Sequence, residues 1–171
     1  MAEIRIEPFN RDKHDRSGFQ CGQPRLDAFI RTLVSQYESR RLGRTFVAVA
    51  RTDPRVLGFY TLASGAVAFE NLPPAGSKKL PMHPVPTILI GRLAVDQSSQ
   101  GIGLGRTLLM SAITKSLQLS LSLGVYAIEV HAIDSAAAAF YAKYGFAQLT
   151  DDEYHLFLPL ATAAQIPNIT H

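Results

Sequence analysis

Seven consecutive residues, Gln100-Gly101-Ile102-Gly103-Leu104-Gly105-Arg106, carry the clearest chemical signal in the sequence. Glycines at 101, 103 and 105 let a backbone turn tightly enough for several N–H groups at a helix N-terminus to point at one anion. The segment therefore reads as a phosphate cradle, or else as a flexible turn without a ligand. Two common phosphate loops do not fit it. A dinucleotide fingerprint needs glycine at 106, where Arg106 stands, and a P-loop needs a Gly-Lys-Ser/Thr ending. Glu129 and His131 could assist deprotonation, or serve as hydrogen-bonded strand residues, since no partner spacing marks a dyad. The lone cysteine, Cys21, cannot form an internal disulfide. Five histidines and one cysteine show no metal-ligand spacing, so no metal is expected.

The elements that must carry these residues follow from pattern. Ile4 and Ile6 alternate with charged neighbours and predict a short strand ending at Pro8. Leu26, Phe29, Ile30, Leu33, Val34 and Tyr37 share one helical face, with Pro24 suited to its first turn. Runs at Thr45–Ala50 and Val56–Ser64, joined by Asp53-Pro54, predict a hairpin. Five prolines between Asn71 and Pro86 predict a loop. Thr87–Val95 is a strongly apolar strand in which Gly91 marks a bulge or a close backbone approach. Beyond the glycine turn, Leu104 to Leu117 predict a helix, Val125–Val130 a buried strand, the alanine-rich segment after Asp134 a helix closed by Gly145, and Tyr154–Leu158 a last strand. Helices interspersed among strands make an α/β (α+β) domain.

Composition bounds the rest. The chain has 171 residues, 47% hydrophobic and 18% charged, which fits one domain spanning residues 1–171 and excludes disorder and collagen-like repetition. No run approaches the roughly 18 to 20 apolar residues that span a membrane, and the first residues lack the apolar core of a signal peptide. A cytoplasmic location is expected. The net charge is +3, but residues 1–55 hold 11 of the 17 basic residues and seven of the 14 acidic ones. Arg40, Arg41 and Arg44 cluster where a helix runs out, with Lys78 and Lys79 in a later loop. Such a cluster is either a solvated helix end or a phosphate-binding surface.

The turn Gln100–Gly105 resembles the pyrophosphate-binding motif (Q/R-x-x-G-x-G/A) of the GNAT N-acetyltransferases. ILIGRLAVD before it resembles their fourth strand, and Asp134 with FYAKYGF resembles their closing motif, with aspartate in place of the usual asparagine. The resemblance implies a mixed central sheet of six to seven strands, splayed at a β-bulge and flanked by about four helices. It implies acetyl-CoA as co-substrate, held by Gln100, Gly101, Ile102, Gly103, Leu104, Gly105 and Arg106 at the pyrophosphate. Leu93, Ala94 and Val95 would offer backbone groups to pantetheine, and Asp134 would touch the cofactor arm. Tyr141 occupies the general-acid position near the thioester sulfur, or is a core aromatic like Phe140 and Tyr144.

FQCG at 19–22, LDAFI at 26–30, HPVPTILIGRLAVD and VHAIDSAAAAFY resemble, more narrowly, the GNAT toxins of type II toxin–antitoxin modules. These acetylate the α-amino group of the amino acid on charged tRNA and so inhibit translation. That resemblance implies a homodimer and a ribbon-helix-helix type antitoxin as partner, and it makes Arg40, Arg41, Arg44, Lys78 and Lys79 the expected tRNA contacts. An acetyltransferase for a protein N-terminus or a small amine, or a non-catalytic acetyl-CoA sensor, are the competing readings.

Overall fold

The computed structural model describes residues 3–74 and 80–166, so Lys78 and Lys79 lie outside the described residues. Strand β1 (Ile4–Pro8) is followed by a helical run in three pieces, α1 (Pro24–Ala28), a π-helical turn (Phe29–Leu33) and α2 (Val34–Ser39). Then come β2 (Arg44–Ala50), β3 (Asp53–Val67), β4 (Val85–Val95) and α3 (Leu104–Leu119). The chain continues through β5 (Ala127–His131), α4 (Ser135–Lys143), β6 (Ala147–Gln148), β7 (His155–Pro159) and α5 (Leu160–Ala163). The strands form one mixed sheet in the order β1-β2-β3-β4-β5-β7-β6. The β4–β5 pair is parallel, and β1–β2, β2–β3, β5–β7 and β6–β7 are antiparallel. Among the described residues no helix is long and apolar enough to cross a membrane.

The chain divides into two compact units, residues 1–63 with 91–112 and residues 64–90 with 113–171. In the first, Phe19, Phe29, Ile30, Val34, Val47, Val56, Phe59 and Ala94 bury one apolar core. Burying such side chains contributes about 1.5–3 kcal/mol each. Gly58 is required there, because a Cβ would lie 2.8 Å from Leu108 Cδ1 and 3.1 Å from the Ala94 carbonyl oxygen. In the second unit Val67, Leu72, Val85, Ala127, Leu149 and Phe157 pack together.

Two expectations change, and one open alternative closes. The helix read from the apolar face Leu26–Tyr37 is interrupted, with the Val34 N–H reaching back to the Phe29 carbonyl, five residues away. Periodicity does not detect one inserted residue, because the apolar stripe continues on both sides. The hairpin strand β3 runs from Asp53 to Val67, well beyond the apolar run that predicts it, and β6 is a two-residue strand without a pattern to read. Gly91 resolves as a close approach, since a Cβ there would meet Thr61 Oγ1 at 3.0 Å. A register shift lies in β2, between Ala48 and Ala50.

Candidate functional site

In the first unit, β4 delivers the chain into the glycine turn. The β4–β5 ladder runs from Thr87↔Ala127 to Ile90↔Val130 and stops there, while β4 itself continues to Val95. Asp96 then caps the short 3-10 turn Gln97–Ser99 by accepting from the Ser98 N–H. Its other oxygen accepts from the Gln20 N–H at 2.8 Å. The Gln100 side-chain amide donates to the carbonyls of Val95 and Cys21, at 2.9 and 3.0 Å. These bonds stitch the Phe19–Gly22 segment to the end of β4. The Gln100 side chain is thus spent on architecture.

Gly101 and Gly103 have φ of +82° and +85°, the left-handed region that side chains disfavour, and a Cβ at either would meet nothing within 4 Å. The turn is therefore an open cradle whose glycines are needed for conformation rather than for lack of room. It leads directly into the 16-residue helix α3, whose first amides carry the positive end of the helix dipole. Leu93, Ala94, Val95, Gln100 and Arg106 all belong to this unit.

The same unit holds a residue that sequence reasoning missed. Arg92, half-buried on β4, places its guanidinium carbon 3.8 Å from the Phe29 ring centroid and 4.9 Å from that of Tyr37. Phe29 stacks on Phe59 and meets Tyr37 edge-on, so the ring beneath the cation is fixed by the core. The only signal in the sequence was one charge inside the apolar run Thr87–Val95. Farther along the helical run, α2 ends at Ser39, and Arg41 adopts φ +59° as the chain leaves it. Arg40 and Arg41 are exposed at that end as expected. Arg44 differs, since it opens β2 and its Nη1 donates to Glu38 Oε2 at 2.7 Å, leaving less of its charge for a partner.

A cleft of about 830 Å³ in this unit is lined by Glu7, Asn10, His14, Gln36 and Glu38 and contains none of these residues. Hydrogen bonds from His14 and Lys13 hold the Glu7 carboxyl down at about 2, so the cleft is an ion-paired surface. Cys21 does not line this cleft and is a partly buried thiol packed against the core. Burial, with Asp27 beside it, pushes the Cys21 thiol up to about 11. At neutral pH the thiol is protonated, and alkylation by iodoacetamide should run about 100-fold slower than for an unperturbed cysteine. A rate equal to that of free cysteine contradicts this.

In the second unit, α4 carries Tyr141 inward, buried against Phe140 and Phe146 with ring centroids 5.3 and 5.4 Å away. Burial raises its phenol above the ordinary value. Among the described residues its hydroxyl has no hydrogen-bond partner, and the raised pKa keeps the phenol protonated at neutral pH. Asp134 caps α4, accepting from the Ala137 N–H at 2.8 Å, a local duty that its place in the closing motif does not reveal.

Glu129 is buried and engaged at both oxygens. Thr87 Oγ1 donates to Oε1 at 2.6 Å, and His155 Nε2 lies 2.7 Å from Oε2. Gly65 leaves room for this carboxylate, which a Cβ there would strike. His155 Nδ1 meets Asp151 at 2.9 Å, so both ring nitrogens face carboxylates, and the exposed His131 ring stacks on it at 4.1 Å. Glu129 is thus a structural anchor. Its partner His155 lies 26 residues away across the β5–β7 pair, beyond reach of any spacing rule.

Burial draws the His155 pKa down, but its bonds to Glu129 and Asp151 outweigh that and leave it raised. The stability from a raised histidine is complete below the ordinary value and fades as pH rises through the folded one. Glu129→Gln should therefore cost roughly 1.5–3 kcal/mol at pH 6 and less at pH 9. Equal losses in denaturant unfolding at the two pH values contradict the charged clamp.

The profile of the Acetyltransferase (GNAT) family matches residues 7–146. A Mycobacterium tuberculosis protein named tRNA-acetylating toxin is 41% identical over 152 residues, covering 89% of this chain and 90% of the relative. A crystal structure of a KacT mutant superposes with a TM-score of 0.90 at 32% identity, covering 95% of this chain and 98% of that one. AtaT complexed with acetyl-methionyl-tRNA gives 0.89 at 30% identity, covering 95% and 98%. AtaTR bound with AcCoA gives 0.82 at 30%, covering 94% and 96%. An AtaT mutant bound to the C-terminus of the antitoxin AtaR gives 0.83 at 27%, covering 96% and 98%.

Proposed function

Since the chain belongs to the acetyltransferase (GNAT) family, we propose that it transfers the acetyl group of acetyl-CoA to the α-amino group of the amino acid on charged tRNA. The observation that carries this reading is the 41% identity to a tRNA-acetylating toxin over nine-tenths of both chains. In this reading residues 1–171 act as one cytoplasmic catalytic domain. The product cannot serve as an ordinary aminoacyl donor, so translation stops. The chain works as a homodimer and is silenced by an antitoxin of the ribbon-helix-helix class, a role in keeping with AtaT bound to the tail of AtaR.

Acetyl-CoA supplies the acetyl group as a thioester. The backbone amides of Gly101 to Gly105 at the start of α3 hold its pyrophosphate, with Arg106 adding charge and Leu93 to Val95 orienting the pantetheine arm. No strong base is required. An α-amino group has a reference pKa near 7.7–8.0, and esterification lowers it, so much of the acceptor is already neutral. Its nitrogen forms the C–N bond while the C–S bond breaks. The departing sulfur takes a proton, for which Tyr141 is the donor, and the surplus proton of the amine restores the phenol.

Incubation with labelled acetyl-CoA tests the reading: label enters aminoacylated tRNA and not the deacylated form. Label in neither rejects it. Arg40 and Arg41 contact tRNA phosphates without reading sequence. Reversing both charges should weaken tRNA binding at least tenfold and flatten its salt dependence, measured by filter binding. Unchanged affinity and slope contradict that assignment.

A further inference from the structure

Arg92 stands apart from the other cations of the first unit. It is half-buried in an apolar strand, yet its guanidinium makes no hydrogen bond or ion pair among the described residues. Its neighbours are instead the faces of Phe29 and Tyr37. Aromatic faces satisfy the charge of a guanidinium while leaving its in-plane donors unused. Those donors form a rigid fork that matches two oxygens of a phosphate. The cradle is rigid because Phe29 is locked by Phe59 and begins the π-helical turn, a distortion that recurs at functional sites.

Position says which phosphate. Arg92 immediately precedes Leu93, the first of the residues assigned to the pantetheine arm, whereas the pyrophosphate cradle begins eight residues later at Gln100. On the other side, Tyr37 lies about one helical turn before Arg40 and Arg41. Arg92 therefore continues the basic end of that helical run towards the acyl-transfer strand. Resting on the proposed acceptor, we propose that Arg92 binds a phosphodiester of the terminal nucleotides of aminoacyl-tRNA and so sets the acceptor's position.

The test compares wild type, Arg92→Gln and Arg92→Lys on two acceptors, aminoacyl-tRNA and the same amino acid esterified to adenosine without phosphate. Arg92→Gln should raise KM for aminoacyl-tRNA roughly 10- to 100-fold, as expected for a lost charge-assisted bidentate contact. The loss on the phosphate-free acceptor should be at least tenfold smaller. The salt slope of tRNA binding should fall by about one. Arg92→Lys, which keeps charge and loses the fork, should lie between and guards against a folding defect. Equal losses on both acceptors, or a raised KM for acetyl-CoA, overturn the assignment in favour of packing or cofactor binding. A wild type active on aminoacyl-tRNA with an unimpaired Arg92→Gln overturns this inference alone. A wild type inactive on every aminoacyl-tRNA overturns the functional reading and this inference with it.

Discussion

Tyr141→Phe is expected to lower acetyl transfer by roughly 100- to 10,000-fold, the usual worth of a positioned proton donor, while leaving acetyl-CoA binding nearly intact. The ring is buried and packed edge-on against Phe140 and Phe146, so removing one oxygen leaves the packing unchanged. The hydroxyl makes no bond within the described residues, so no structural partner is orphaned. The stability cost should therefore be small. The effect should appear in kcat, with KM for acetyl-CoA within about twofold. The same variant should abolish growth arrest on expression. Retained kcat with retained fold makes Tyr141 a core aromatic and contradicts its catalytic role.

Gly103→Val carries the second large effect. The residue sits at φ +85°, where a left-handed conformation costs an ordinary residue about 1–2 kcal/mol and a β-branched one more. There is open space for the side chain, so the strain can be relieved only by rotating the backbone, and that turns the amides away from their common focus. KM for acetyl-CoA should rise about tenfold or more, with kcat affected less. Val95→Ala is the contrast. Its contribution comes from backbone groups, which the substitution keeps, so acetyl-CoA affinity should barely change. Isothermal titration of the two variants against acetyl-CoA separates the cases, and equal affinities contradict the backbone-cradle account.

Much of this was legible in the sequence because it is local. Glycines at alternate positions before a helical stripe announce a turn and a helix N-terminus, and an apolar run ending in Asp96 announces the strand that feeds it. What was not legible depends on contacts between distant segments. Gln100 looks like a ligand-binding residue until its amide is found on the carbonyls of Cys21 and Val95. Glu129 stays open between base and strand residue until His155 and Thr87 are found on both its oxygens. Arg92 has the opposite history, one charge in a strand whose importance emerges only when its neighbours prove to be aromatic faces rather than a carboxylate. The π-helical turn escaped because its insertion leaves the apolar stripe intact.

The central claim is that the acceptor is the α-amino group of an aminoacyl ester. Mass analysis of aminoacyl-tRNA, incubated with the protein and acetyl-CoA and then digested to release its terminal aminoacyl-adenosine, tests it most directly. The account predicts a species heavier by one acetyl group, on the amino acid and not on the nucleoside, that is lost with Tyr141→Phe. Absence of that species from every aminoacyl-tRNA tried, with acetyl-CoA bound and the protein folded, contradicts it.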